Sequence, residues 1–231
     1  YRKFVFGATD AITSLICEQI GVDYIWASSF IFSTIAGEVD DDTNQLSQYT
    51  FLINALKRGS NLPIIFDFGA CGKNFSDFKK QIKFLKEFSI AGVCVEDEAN
   101  PKINAIISTT TRKLIHPDLM VKKIIMSRSI LGHNVKIIAR THAYITQESF
   151  KNIQERIKKY EDAGANIICI HYTGEKWNEY SKLLKRLTIR RPSMLILSNE
   201  DTIPRILSDD KKVKYVVFPN QIYRMMILPL L

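Results

Sequence analysis

Short apolar runs alternate along the chain with longer segments in which apolar residues recur every three or four positions. The apolar runs have the length and β-branched content of buried strands, and they cover residues 3–6, 24–27, 63–68, 93–95, 135–139, 167–170, 194–197 and 215–218. The amphipathic segments predict helices at residues 11–20, 44–58, 75–88, 118–131, 149–163 and 176–187, then a short turn region around 202–207 and a final segment from 221. Eight strands alternating with helices predict an α/β fold whose parallel strands close into a (β/α)₈ TIM barrel.

Two glycine turns support this division into units. Gly21 and Gly164 each follow a predicted helix and precede a strand, as left-handed helix ends do. A chain of 231 residues with 46% apolar content can bury one large core, so we expect a single barrel domain over residues 1–231. Few residues follow the eighth strand and they include Pro229, which predicts an incomplete last helix.

Composition narrows the class of partner. The formal charge of +8 suits anionic ligands, but the lysines are spread over predicted helices and no basic run is interleaved with aromatic residues, so we expect no nucleic-acid partner. The apolar runs are too short to cross a bilayer and no segment resembles a signal peptide, which predicts a cytoplasmic protein without membrane association. The four cysteines lack CxxC spacing and are expected to be reduced core thiols.

Chemically distinctive side chains stand where the chain leaves each predicted strand. They are Trp26, Ser28, Ser29 and Phe30 after strand two, Asp67 after strand three, Glu96 and Asp97 after strand four, Arg140 and His142 after strand five, His171 after strand six and Asn220 after strand eight. The carboxyl ends of barrel strands meet at one rim, where active sites lie. We therefore expect a functional cluster, with both Glu96 and Asp97 as ligands or bases rather than packing residues.

The residue types indicate the chemistry of this cluster. Asp67 and Glu96, with Asp40 on the loop after strand two, offer carboxylate oxygens, which suit Mg²⁺ better than zinc. Arg140 and His171 offer positive charge or hydrogen-bond donors, and arginine can bind a carboxylate or phosphate through two parallel hydrogen bonds. A metal facing these two residues would hold a small anion with two or three charges.

Several motifs also carry a family resemblance. They are Ile25-Trp26-Ala27-Ser28, Asp40, Asp67 followed by Asn74-Phe75, Gly92-Val93-Cys94-Val95-Glu96-Asp97 running into Pro101-Lys102-Ile103-Asn104, Ile138-Ala139-Arg140, Ala163-Gly164-Ala165 and Ile170-His171. In these motifs the chain resembles the phosphoenolpyruvate mutase and isocitrate lyase superfamily, and within it the phosphoenolpyruvate phosphonomutase branch. The loop motif of the C–C lyases, with its cysteine, is absent.

The resemblance implies an Mg²⁺-dependent isomerase of phosphonate biosynthesis that interconverts phosphoenolpyruvate and phosphonopyruvate. It implies that Asp67 binds Mg²⁺ directly, whereas Glu96 and Asp40 bind it through water. It further implies a homo-oligomer, either a dimer or a tetramer, and a functional link to a phosphonopyruvate decarboxylase, which would remove the disfavoured C–P product.

The same resemblance implies roles in substrate binding. Ser28 and the backbone N–H groups near Ser29 and Phe30 would hold the pyruvyl carboxylate, and Trp26 would form a wall of the pocket. Arg140, His171 and Asn104 would grip the phosphoryl group. Lys102 and Asn104 would lie on a gating loop, about 98–112, that closes to exclude water. The implied catalytic residues are Asp40, Lys102, Asn104, Arg140 and His171.

Two departures from the family pattern keep alternatives open. Gly69 replaces a second aspartate after strand three, and His142 stands where the mutases carry an acid. Losing an outer carboxylate typically weakens metal binding by about 10- to 100-fold. The alternatives are a phosphonopyruvate hydrolase, a C–C lyase of the superfamily, and a catalytically inactive barrel used for binding.

Overall fold

Eight parallel strands close into one barrel in this computed structural model, which describes residues 1–40, 46–69, 72, 74–99, 112–173, 176–197 and 212–227. The strands are β1 Lys3–Gly7, β2 Tyr24–Ser28, β3 Ile64–Asp67, β4 Gly92–Glu96, β5 Lys136–Thr141, β6 Ile167–Ile170, β7 Ser193–Ile196 and β8 Val213–Phe218. Each strand pairs with the next, and β8 pairs with β1 to close the ring. The predicted (β/α)₈ barrel is confirmed.

Helices follow the strands on the outside of the barrel. They are α1 Ala11–Gln19, α2 Ser29–Ala36, α3 Thr50–Gly59, α4 Phe75–Leu85, α5 Pro117–Leu131, α6 Phe150–Asp162, α7 Trp177–Arg186 and α8 Gln221–Ile227, with a 3₁₀ turn at Leu46–Tyr49 before α3. Within the described residues, none of these helices is long and apolar enough for a membrane crossing. The predicted turn around 202–207 and the last residues, 228–231, lie outside the described part.

The helix α2 is the main difference from the sequence-based prediction, which placed a polar loop directly after the second strand. Ile31 and Phe32 of this helix are fully buried, and the ring of Phe32 packs edge-on against Phe66 with ring centroids 5.9 Å apart. Burial of this apolar pair stabilises a helix that is too short to be recognised from its sequence periodicity alone. Its first turn starts at Ser29, immediately after β2.

Alternation along the strands separates the barrel interior from the layer beneath the helices. One buried cluster fills the interior with Val5, Trp26, Ile65, Cys94, Ile138, Ile167, Cys169, Met194, Ile196 and Val217. Intervening strand residues pack in the larger cluster with the helices. Because side chains repeat every two positions along a strand, the next inward positions are Ser28, Asp67, Glu96, Arg140 and His171. The fold therefore directs these polar side chains to the carboxyl-end rim.

Three of the predicted core thiols are confirmed within the described residues. Cys17, Cys94 and Cys169 are free and buried. Burial raises the pKa of Cys17 to about 11 and that of Cys169 to about 12. These thiols are thus uncharged packing groups, and Cys71 lies outside the described residues.

Candidate functional site

A buried arginine joins two acids on neighbouring strands. Arg140 Nη1 donates to Asp67 Oδ2 at 3.3 Å, and Arg140 Nη2 donates to Glu96 Oε2. Glu96 stands directly opposite Arg140 in the β4–β5 register. Although burial by itself lowers the pKa of Arg140, the charges of Asp67 and Glu96 raise it well above its ordinary value. This guanidinium is therefore a permanent cation between two carboxylates.

Two histidines lie beside this ion pair and stack on each other. His142 Nε2 is 3.0 Å from Glu96 Oε2, and the rings of His142 and His171 have centroids 4.6 Å apart with planes inclined by 14°. Burial lowers the pKa of both imidazoles, and the positive charges of Arg140 and Arg112 also lower it; at His142 the contact with Glu96 opposes this shift but does not cancel it. Neutral imidazoles, able to donate at one nitrogen and accept at the other, thus form one wall of the site.

Asp97 does not belong to this cluster, which corrects the expectation that it is a ligand or base. Its Oδ1 accepts the backbone N–H of His142 at 3.0 Å, and its Oδ2 accepts the hydroxyls of Thr141 and Tyr160 at 2.7 and 2.8 Å and Arg156 Nη1 at 3.2 Å. Asp97 is fully buried on the side facing α6. The reason is strand alternation, since neighbours in a strand point to opposite faces. Asp97 ties β4 to β5 and α6.

The stems of the predicted gating loop meet at the same rim. Glu98 and Leu114 form an antiparallel bridge, and the N–H groups of Ala99 and Ile115 donate across the stems at 2.8 and 2.9 Å. Arg112, at the end of the second stem, donates from Nη1 to Glu98 Oε2 at 2.9 Å and also contacts His142 Nδ1. Arg112 and Glu98 are both buried, so the loop is anchored directly to the histidine wall.

The remaining predicted residues take separate places. Ser28 is buried and precedes α2, with Ser29 and Phe30 half-buried in the first turn of that helix. Ser28 also stands opposite Asp67 in the β2–β3 register. Trp26 lies one inward position deeper, in the apolar interior layer.

Four further residues complete the comparison with the sequence. Asp40 is half-buried on the segment after α2. Asn220 is half-buried after β8 and its backbone N–H donates to the side chain of Gln221. Lys102 and Asn104 lie outside the described residues, and their assigned roles stay predictions.

The residues present fit a divalent cation. Glu96, Glu98 and His142 offer ligand atoms that all lie within 4.8 Å of one another, and Asp67 shares Arg140 with Glu96. Carboxylate oxygens with one imidazole are common ligands of divalent metals. Beside them, both ring nitrogens of His171 lack a hydrogen-bond partner within the described residues, although His171 is only 8% exposed. A buried polar group of this kind is typical of a site that receives a ligand.

The sequence analysis did not assign Glu98, Arg112 or Lys123 to the site, and it included residues 98 and 112 only as the bounds of the gating loop. Nζ of Lys123 donates to the backbone carbonyl of Glu96 at 3.3 Å. The alternation of side chains along a strand could have identified Glu98, because it lies two positions after Glu96 and is therefore expected to point to the same side. Arg112 and Lys123 carry no such signal, since one follows a loop and the other lies in a long helix.

The fold and rim define a class of protein: a (β/α)₈ barrel that gathers acids, an arginine and histidines at the carboxyl ends of its strands, as enzymes of this architecture do. The sequence profile of the family described as phosphoenolpyruvate phosphomutase matches residues 4–229. The chain belongs to this family, within the phosphoenolpyruvate mutase/isocitrate lyase superfamily.

Three known proteins show how far the similarity extends. A phosphoenolpyruvate phosphomutase from Tetrahymena pyriformis is 25% identical over 219 residues, which cover 94% of this chain and 73% of that protein. The crystal structure of a phosphoenolpyruvate phosphomutase from Streptomyces platensis subsp. rosaceus superposes with a TM-score of 0.85 at 20% identity, covering 100% of this chain and 80% of that one. The crystal structure of a phosphonopyruvate hydrolase in complex with oxalate and Mg²⁺ superposes with a TM-score of 0.87 at 20% identity. The superposition covers 99% of this chain and 79% of the hydrolase chain. The structural matches establish the fold.

Proposed function

We propose that this chain is an enzyme that interconverts phosphoenolpyruvate and phosphonopyruvate with a divalent cation bound at the rim. The observation that carries the proposal is the buried contact of Arg140 with Asp67 and Glu96, next to the stacked His142 and His171. Cation ligands and anion-binding groups thereby lie within one small space. The family match and the Tetrahymena relative support the reaction.

The reaction moves a phosphoryl group within one molecule. The bond between phosphorus and the enol oxygen breaks, a bond between phosphorus and the methylene carbon forms, and the enol becomes a ketone. Atoms and electrons balance without a further reactant. The protein therefore has to hold both ends of the substrate, stabilise charge and exclude water, which are contributions of positioning and electrostatics.

Each group of residues has one task in this proposal. Asp67 and Glu96, with Asp40 through water, hold the cation, which when bound neutralises negative charge on substrate oxygens. Ser28 and the first N–H groups of α2 hold the carboxylate, because the N-terminus of a helix favours an anion. Arg140 and His171 hold the phosphoryl group. Arg140 is then redirected from one of its carboxylates to the substrate.

The gating loop keeps water away from the transferring phosphoryl group. Its stems are joined by backbone hydrogen bonds and by the Arg112–Glu98 ion pair, so the loop leaves from a fixed base at the rim. Lys102 and Asn104 are assigned to the closing segment. A metaphosphate-like group exposed to water would be hydrolysed, which makes closure a condition for transfer to carbon.

Phosphorus NMR tests the proposal directly. Purified protein with phosphonopyruvate and Mg²⁺ or Mn²⁺ is expected to form phosphoenolpyruvate, and the Asp67→Ala variant is expected to form none. Formation of inorganic phosphate as the first product would contradict the mutase proposal and show that the chain is a hydrolase. No change in the spectrum with either metal would reject turnover and favour a binding role.

The hydrolase is a second candidate because a phosphonopyruvate hydrolase superposes on this chain as well as a mutase does, with TM-scores of 0.87 and 0.85. The two reactions share the binding groups and differ in whether water reaches the phosphoryl group. We propose that the presence of Asn104 on the gating loop favours the mutase reaction over hydrolysis. Asn104→Ala is expected to raise the share of phosphate in the products, as the same NMR experiment would measure.

Two partners complete the proposal. A phosphonopyruvate decarboxylase would draw the reaction toward the C–P product, so adding such an enzyme to the assay should increase consumption of phosphoenolpyruvate. A dimer or tetramer is proposed as the assembly, which sedimentation analysis would measure.

A further inference from the structure

His142 lies between two carboxylates, with one ring nitrogen toward each. Its Nε2 is 3.0 Å from Glu96 Oε2, and its Nδ1 is 3.5 Å from Glu98 Oε2. All three side chains are buried. Histidine ligands in metal sites have this arrangement, because one nitrogen binds the metal and the other donates its N–H to a carboxylate that fixes the ring.

The spacing on the Nε2 side also suits a shared ion. Two ligands at right angles in an octahedral site, each about 2.1 Å from the metal, are separated by about 3.0 Å. The observed distance from His142 Nε2 to Glu96 Oε2 is 3.0 Å. Asp67 contacts the other terminal nitrogen of Arg140, so the guanidinium lies between Asp67 and Glu96.

We propose that Nε2 of His142 is a direct metal ligand, that it joins Glu96 around a first-row transition-metal ion such as Mn²⁺, and that Glu98 orients the ring by accepting the Nδ1 hydrogen. This inference rests on the cation position of the proposed function and specifies its chemistry. Mg²⁺ prefers oxygen ligands, whereas first-row transition-metal ions accept an imidazole nitrogen more readily than Mg²⁺ does. His142 is therefore expected to lower the preference of the site for Mg²⁺ relative to a transition-metal ion.

His171 provides an independent sign of a bound group at this place. Its ring stacks on His142 at 4.6 Å, it is 8% exposed, and neither of its nitrogens has a hydrogen-bond partner within the described residues. Buried polar groups are normally satisfied. An anion bound next to the metal would accept a hydrogen bond from this imidazole.

Arg112 stabilises the other tautomer of the His142 ring, in which Nδ1 accepts a hydrogen bond. Its Nη1 contacts both Glu98 Oε2 and His142 Nδ1. While Arg112 donates to Nδ1, the hydrogen of the neutral ring resides on Nε2 and points at Glu96. When Nδ1 instead donates to Glu98, the Nε2 lone pair faces Glu96. Metal binding and the Arg112–His142 contact thus exclude each other.

Electron spin-echo spectroscopy of the whole chain loaded with Mn²⁺ tests the ligand, because a directly bound imidazole nitrogen modulates the echo. The expected result is a nitrogen modulation that disappears in His142→Gln and persists in His133→Gln, a change at an exposed histidine. Absence of the modulation from the wild-type protein, failure of Mn²⁺ to bind, or an unchanged modulation in His142→Gln would each overturn the proposal. The spectrum of the wild-type protein shows by itself whether a nitrogen ligand is bound, even if a variant does not fold.

Metal selectivity provides a second measurement. His142→Glu is expected to lower the preference for Mn²⁺ over Mg²⁺, measured as the ratio of the two Kd values, by about tenfold or more. Glu98→Gln is expected to keep the nitrogen modulation but weaken Mn²⁺ binding by about 10- to 100-fold. An unchanged ratio in His142→Glu contradicts the inference. Neither measurement involves substrate, so its outcome is separate from that of the phosphorus NMR experiment.

Discussion

The imidazole rings of His142 and His171 stack almost in parallel, with centroids 4.6 Å apart. Burial lowers the pKa of both rings, and that of His171 lies well below its ordinary value because His142, Arg140 and Arg112 add to the effect of burial. Protonation of this buried pair is unfavourable because burial and the two guanidinium groups outweigh the attraction of Glu96 for a charged His142. The folded state therefore keeps these rings neutral at pH values where the unfolded chain protonates them.

The stability of the protein should consequently fall in acid. Each histidine has an unfolded pKa of about 6.5, so its contribution to stability is complete above that pH and is lost as the pH falls below it. The unfolded state binds more protons there, and the free energy of unfolding should fall by up to about 1.4 kcal/mol per pH unit for each histidine that stays neutral. Urea unfolding between pH 7 and 5, with a chelator present, measures this slope.

Replacing one histidine identifies the source of that slope. His171→Phe keeps a planar ring against His142 but removes one titrating group, so its stability should depend less steeply on pH. His133→Gln, at an exposed position, should leave the slope unchanged. A slope equal to that of wild type in His171→Phe would assign the acid sensitivity to other groups.

Asp67 at the end of β3 and Asp97 at the end of β4 should respond differently to mutation. Asp97 accepts four hydrogen bonds within the described structure, so Asp97→Ala should lower the free energy of unfolding by about 3–5 kcal/mol. Asp67→Ala should abolish metal-dependent turnover but cost only about 1–2 kcal/mol, because Arg140 retains Glu96 as a partner. Denaturation curves and the phosphorus NMR assay on both variants separate the two roles. Equal losses of stability would contradict the assignment of Asp97 as the structural acid.

The buried pair Arg112–Glu98 should be strongly coupled. Arg112→Met or Glu98→Met alone leaves a buried charge without its partner at 2.9 Å, and each should cost about 3–5 kcal/mol. The double variant should cost less than the sum, with a coupling energy of about 1–3 kcal/mol. Urea unfolding of the four proteins in this cycle gives the value. Simple additivity would mean that the pair does not anchor the loop stems.

Restoring an acid at position 69 should strengthen metal binding. Gly69 has a positive φ of 57°, a conformation that aspartate and asparagine tolerate better than most residues, and its carbonyl accepts the N–H of Glu96 at 3.1 Å. Gly69→Asp should tighten Mg²⁺ binding by about 10- to 100-fold. Gly69→Asn is the matched control, because it has the same shape without the charge. Calorimetric titration compares them, and an equal Mg²⁺ affinity in both variants would show that the carboxylate at this position has no effect.

The resemblance of short motifs was enough to assign the family, and strand and helix alternation was enough for the barrel. Both signals are local in the chain. The helix α2 was missed because its eight residues give too short a periodic pattern and it is stabilised by contacts with distant residues such as Phe66. Glu96 and Asp97 could not be told apart by type, and only strand alternation sends one inward and the other toward α6.

By itself the sequence determined eight strands, their order, the apolar interior and the ring of polar residues at the strand ends, because hydrophobic periodicity and strand length depend on neighbours in the chain. Tertiary structure alone decided that Arg140 joins Asp67 to Glu96, that His142 stacks on His171 and that Arg112 closes on Glu98. These pairs come from separate strands and loop stems. Their distances follow from barrel closure and register, which no local pattern specifies.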